Sequence, residues 1–251
     1  MPPESPSSPV TGDDVFSPVT DDDVSSPVTG DDVSSPVTDD DVSSPVTGDD
    51  VAHAVALAVT TLRPALDADW DVPAGTLAWT CWETGEHLAD DLFWYAARIG
   101  SLRPSTDERE PLGCSRRRPE GPANTITADK EAGPAGLLRV LEDCGGLLAA
   151  VARVTPASAR AYHVFGVSDP EGFAAMGVVE TLLHTHDLAQ GLGVEFEPPA
   201  GLCGRALHRL FPDAPVGTPP WPALLWLTGR GELPGRERVG NWRWYGAPRS
   251  T

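Results

Sequence analysis

Glu180 and His184 stand four residues apart in an otherwise apolar stretch, and a four-residue step returns a helix to the same face. The stripe that carries them runs through Phe173, Gly177, Glu180, His184 and Leu188, the side that such a helix turns toward a core. A carboxylate at the centre of that stripe is costly to bury unless something answers its charge. A divalent cation shared with His184 would answer it, and the more distant His87 is a third donor. Spacing alone leaves a second reading open: a polar seam in which Glu180 and His184 bond each other or an arginine of a neighbouring helix. His186 points about 200° around the helix from His184 and reads as a surface or second-interface residue.

Four helices are needed to position these groups. Asp49 and Asp50 precede a pattern with Val51, Val55, Val59 and Leu62 on one side, and Pro64 stops it. Thr80 and Glu83 form a capping box for a second helix that carries His87 and runs to about Ile99. Glu83 is also four residues before His87, a ligand spacing, although the cap accounts for it. A third helix spans Gly136 to Val154, with Gly145 and Gly146 either weakening its middle or allowing a close helix contact. Ser168 and Glu171 read as the capping box of the fourth, which ends near Gly191.

Residues 101–131 read as a long connection, with Thr125 to Thr127 at most a short strand and Arg116 to Arg118 a solvated basic run. His163 stands just before the fourth helix, where it could serve as an acid or base or simply pack within its loop. Asp91 and Asp187 each lie within a turn of a candidate ligand and read either as outer acceptors for the imidazoles or as solvated surface groups. Two shorter helices are expected at 198–211 and 221–228. The tryptophans of 241–246 read as core plugs on an extended tail or hairpin.

The first fifty residues differ in kind. Ser-Pro-Val-Thr-(Gly/Asp)-Asp-Asp-Val recurs with Pro9, Pro18, Pro27, Pro36 and Pro45, too polar to offset the entropy of ordering, so residues 1–44 are expected to be a disordered acidic repeat. They also distort the charge balance. Of a formal −19, residues 1–50 contribute −13, leaving −6 for the rest and no basic surface suited to nucleic acid or an anionic membrane. No stretch suits a bilayer or a secretory signal, and the four cysteines are dispersed without a Cys-x-x-Cys pair. A cytoplasmic protein with reduced, mostly buried thiols is the expectation.

Three segments together resemble the DinB-like superfamily, in particular the metal-binding domain of mycothiol-dependent maleylpyruvate isomerases and their actinobacterial relatives. Trp79 is followed eight residues later by His87; Glu180, His184, Asp187 and Leu188 stand in the order Glu-x-x-x-His-x-x-Asp-Leu; and Gly229-Arg230 lies near the C-terminus. The resemblance covers 46–249. It implies an all-α, DinB-like four-helix bundle over 45–195 and a C-terminal extension, with short helices, packed on it over 196–251. It further implies that His87, Glu180 and His184 hold one divalent ion, zinc, and that mycothiol is the thiol cosubstrate.

Two histidines and a glutamate leave a coordination position open, as catalytic zinc sites do. The function expected is therefore a thiol-dependent transferase or isomerase acting on a small electrophile. The chain lacks a recognisable C-terminal domain of the isomerase type, so the resemblance carries maleylpyruvate isomerisation less well than it carries the metal site. The alternatives are a metal-containing binding or sensing protein without turnover, and a helical bundle with a polar seam and no metal.

Overall fold

The computed structural model describes residues 42–248. The expectation of disorder for 1–44 therefore falls almost wholly outside the described residues. Within them the fold is all-α: α1 (Gly48–Leu62), α2 (Cys81–Ile99), α3 (Gly133–Val154), α4 (Pro170–Leu192), α5 (Ala200–Leu210) and α6 (Pro220–Leu227). The sole sheet among the described residues is a two-residue antiparallel ladder between β1 (Ser115–Arg116) and β2 (Ala123–Asn124). No helix among these residues is long and apolar enough to cross a membrane.

α1 and α2 each pack on both α3 and α4, which closes a ring of four helices around a core that includes Leu62, Leu88, Leu92, Leu148, Phe173 and Leu183. α4 is apolar on nearly every side and is covered on nearly every side, so it lies at the centre of the molecule rather than presenting one stripe to it. Its polar side chains must find partners inside the protein. Thr181 and Thr185 do so locally, turning their hydroxyls back to the carbonyls of Gly177 and Thr181. Gly145 is a point of close approach: a Cβ there would lie 2.5 Å from Val55 of α1.

The starts of α1, α2 and α4 follow cap chemistry, with shifts from the sequence reading at α1 and α4, while α3 begins at Gly133 rather than Gly136 without a side-chain cap. α1 begins earlier than expected because Thr47 caps it and the Asp50 carboxylate accepts the Thr47 N–H in return. The Thr80–Glu83 box opens α2 as expected. At α4 the expected Ser168–Glu171 box is replaced by Asp169, whose carboxylate accepts from Gly172, with Pro170 in the first helical position where its missing N–H costs nothing. Ser168 instead donates to the Gly246 carbonyl of the C-terminal tail.

The largest departure concerns residues 101–131. Arg117 and Arg118 are not a solvated run. Arg117 makes a two-pronged pair with Glu86 at 2.6 and 2.7 Å, and Arg118 makes another with Glu83 at 2.7 Å on both arms. Asp90 accepts the backbone N–H groups of Thr125 and Ile126 at 2.8 and 2.7 Å, which moves the short strand from 125–127 back to 123–124. Glu83, Glu86 and Asp90 recur at helical spacing, so one face of α2 clamps the whole connection.

The tail beyond α6 is extended and forms no hairpin. Buried Arg209 holds it through the carbonyls of Gly246 and Ala247 and is itself paired with Asp169 at 2.8 Å. Trp244 is plugged into the core as expected.

Arg117→Ala should lower unfolding stability by roughly 2 kcal/mol, because it strands a buried Glu86 carboxylate while the arginine itself is part-exposed. Urea denaturation checks this; a midpoint equal to that of the wild type would show that the clamp contributes nothing.

Candidate metal centre

His87 and Asp91 come from α2, and Glu180, His184 and Asp187 from α4, two helices packed directly on each other. One donor atom each from His87, Asp91 and His184 lies within 4.8 Å of the other two. Glu180 Oε2 is 3.3 Å from His184 Nε2, and Asp91 Oδ2 is 3.3 Å from His87 Nε2. Of the expected trio, His87 and His184 thus meet in one group whose third member is Asp91, while Glu180 stands beside it against His184. The position of Asp91 four residues after His87 was the signal for it, read in the sequence as an outer acceptor or a surface group.

Each ring is held from behind. His184 Nδ1 meets Asp187 Oδ2 at 3.2 Å, so the ring presents Nε2 to the cluster. Asp187 is fixed in turn by Arg230, whose guanidinium donates to both carboxylate oxygens at 2.7 to 3.1 Å. His87 packs edge-on against Trp79 at 4.7 Å between ring centres, and lies 5.4 Å from the His184 ring. Tyr95 donates its hydroxyl to Glu180 at 3.3 Å.

Glu83 takes no part, being spent on Arg118 and the α2 cap. His186 faces away and packs against Trp221 of α6, the second-interface position expected of it.

Electrostatics at the cluster are those of charges buried together. Burial pushes His87 down to about 4, helped by repulsion from His184. Burial opposes charge on His184 too, but its bonds to Asp187 and Glu180 outweigh that and hold it at about 9. Asp91 is raised well above the usual carboxylate range by burial and by the neighbouring Glu180. Two half-buried carboxylates and two imidazoles with their Nε2 atoms turned toward them suit a divalent cation of the zinc type.

The cluster forms part of the wall of a cavity of about 360 Å³. Trp94, Phe165, Trp242 and Trp244 supply apolar and aromatic surface, while Arg98, Arg109 and Cys114 add polar groups. His163 also lines it, with Nδ1 accepting the Phe165 N–H at 3.1 Å, so its neutral ring carries the proton on Nε2. The residue expected to pack within its loop thus shares a cavity with the cluster. Cys81, Cys144 and Cys203 are buried and pushed up to about 11, 11 and 12 by that burial, whereas Cys114 is exposed.

Comparison of the chain with family models, with curated proteins and with solved structures finds no match in any of the three.

His163 generates a pH prediction. Burial lowers it from 6.5 to about 4 in the folded protein, with Arg98 contributing. Between those values the unfolded chain binds the extra proton, so stability is full above 6.5 and falls as pH drops toward 4, by roughly 3 kcal/mol at most. His163→Phe should flatten that part of the curve of unfolding free energy against pH; an unchanged slope would mean that His163 is not buried neutral.

Proposed function

We propose that this chain is a DinB-like metalloprotein that uses a divalent ion, zinc, to activate a low-molecular-weight thiol, mycothiol, against a small electrophile, as a transferase or isomerase. The observation that carries this reading is the convergence of His87, Asp91 and His184 donor atoms within 4.8 Å of one another, with three of the cluster's residues, His87, Asp91 and Glu180, exposed to an aromatic-walled cavity. A sealed structural site would have no such cavity beside it.

His87, Asp91 and His184 would hold the ion, with Glu180 beside His184 as a further ligand or as a base. The ion, when bound, supplies Lewis acidity and lowers the pKa of a coordinated thiol or water. The protein's own residues do the rest. Asp187 and Arg230 keep His184 turned inward, and Tyr95 fixes one oxygen of Glu180, leaving the other toward His184. Burial holds the Tyr95 phenol well above its usual pKa, so it remains a donor throughout the working pH range.

His163 has its Nδ1 occupied by a backbone N–H, so at neutral pH it is suited to donate from Nε2 to a substrate oxygen rather than to act as a base there. The tryptophans and Phe165 exclude water and offer flat surfaces to the body of a small molecule.

Loss of free thiol should be followed with a panel of small electrophiles for the wild type, His184→Ala and His163→Phe. Wild type should consume thiol, His184→Ala should lose at least about 100-fold in rate, and His163→Phe should lose less, about 10-fold, short of the roughly 100-fold or more of a full general acid–base catalyst because its neutral ring only donates a hydrogen bond. Bound metal without turnover on any electrophile would favour a binding or sensing role, and full turnover in folded His184→Ala would exclude this site.

A further inference from the structure

One face of α2 carries more than the metal cluster. His87, Asp91, Tyr95 and Arg98 recur at steps of four, four and three, so they stand on one stripe of the helix. Arg98 comes two turns after Asp91, which sets it roughly 10 Å further along the axis. All four residues line the same cavity, whose wall therefore runs from the cluster to a guanidinium.

That guanidinium is fixed in place yet poorly answered. It lies over Trp94, 5.3 Å from the ring centre, a contact that steadies its plane. Its ion pair with Glu110 runs through Nε at 3.5 Å, a length at which Nε keeps no full hydrogen bond. Among the described residues no acceptor is hydrogen-bonded to its two terminal nitrogens, although the side chain is only 13% exposed. The arginines that hold the fold together behave differently: Arg117, Arg118, Arg209 and Arg230 each meet a carboxylate at 2.6 to 2.8 Å. A cation so covered, facing a cavity with donors to spare, fits an acceptor that the protein itself does not supply.

We propose that Arg98 determines specificity by receiving a carboxylate of the small electrophile on its two terminal nitrogens. The flat body of the molecule then lies along the aromatic wall and its reactive carbon falls at the metal centre. The parallel N–H pair of a guanidinium matches the two oxygens of a planar carboxylate. A single negative charge suits the cavity better than a double one, because Asp91 and Glu180 share its wall and Glu110 already lies beside Arg98. Arg109, exposed on the connection, adds a positive charge to the same wall. The inference rests on the thiol-transfer reading for what happens at the metal end, and on the cavity alone for the anion.

Binding separates the two. Ligand-observed NMR titration at pH 7.5 compares trans-cinnamate with trans-cinnamamide, a flat acid and its neutral counterpart, on the protein as purified and after removal of metal by a chelator. The acid should bind at least about 10-fold more tightly than the amide in both states, and Arg98→Gln should lose most of that preference. Glu110→Gln, which removes the competing carboxylate, should tighten the acid a few-fold and leave the amide unchanged. A ratio of two affinities does not move when a side chain merely supports the fold.

The proposal is overturned by a wild type that does not prefer the acid, by a preference that survives in folded Arg98→Gln, or by one that disappears with the metal, which would put the carboxylate on the ion. If Arg98→Gln fails to fold, Glu110→Gln decides, and an unchanged affinity for the acid overturns the subsite. An acid preference that depends on Arg98, in a protein that consumes no thiol with any electrophile, overturns the thiol reading and supports the subsite.

Discussion

Charge buried in a helical core is the constraint on which the rest of this structure depends. α4 is surrounded by other elements, yet it carries Glu180, His184 and Asp187 within two turns, and α2 sets His87 and Asp91 beside them. Each group is tolerated because another answers it. Tyr95 and His184 answer Glu180, Asp187 answers His184, and Arg230, from just beyond α6, answers Asp187. Removing one partner from such a buried pair typically costs about 3–5 kcal/mol, because the other charge is left uncompensated. The remainder is Asp91, whose charge burial and the neighbouring Glu180 both disfavour, and a cation is the simplest group that would satisfy it.

A second set of buried acids does a different job one residue around the same helix. Glu83, Glu86 and Asp90 clamp the connection between α2 and α3 through Arg118, Arg117 and two backbone N–H groups. α2 therefore binds its own loop along one edge and carries His87 and Asp91 along the next. Because the loop brings Cys114 and Ala123 to the wall of the cavity, the lining of the site depends on this clamp as much as on the bundle.

The sequence showed some of this and hid the rest for identifiable reasons. Helix existence was legible from apolar spacing and from the Thr80–Glu83 cap. The start of α4 was misplaced because Ser168 and Glu171 satisfy the capping pattern, whereas Asp169 followed by Pro170 satisfies it better. Types and spacing offered His87 and His184 as donors and left a polar seam open, the resemblance implied Glu180 as the third ligand, and the structure groups Asp91 with the two histidines instead. Asp91 was seen, but only as an outer group, since spacing cannot tell which of two carboxylates a ring will face. The basic run was misjudged because arginines among Pro and Gly look solvated until buried acids on α2 are known to claim two of the three, Arg117 and Arg118.

Metal content tests the central claim most directly. The purified, tag-free protein, stripped and reconstituted with zinc and then freed of excess ion, should retain about one ion per chain by elemental analysis, and folded His184→Ala and Asp91→Asn should retain far less. A wild-type protein that keeps no ion after reconstitution would contradict the account and leave His87, Asp91, Glu180 and His184 as a polar seam between two helices.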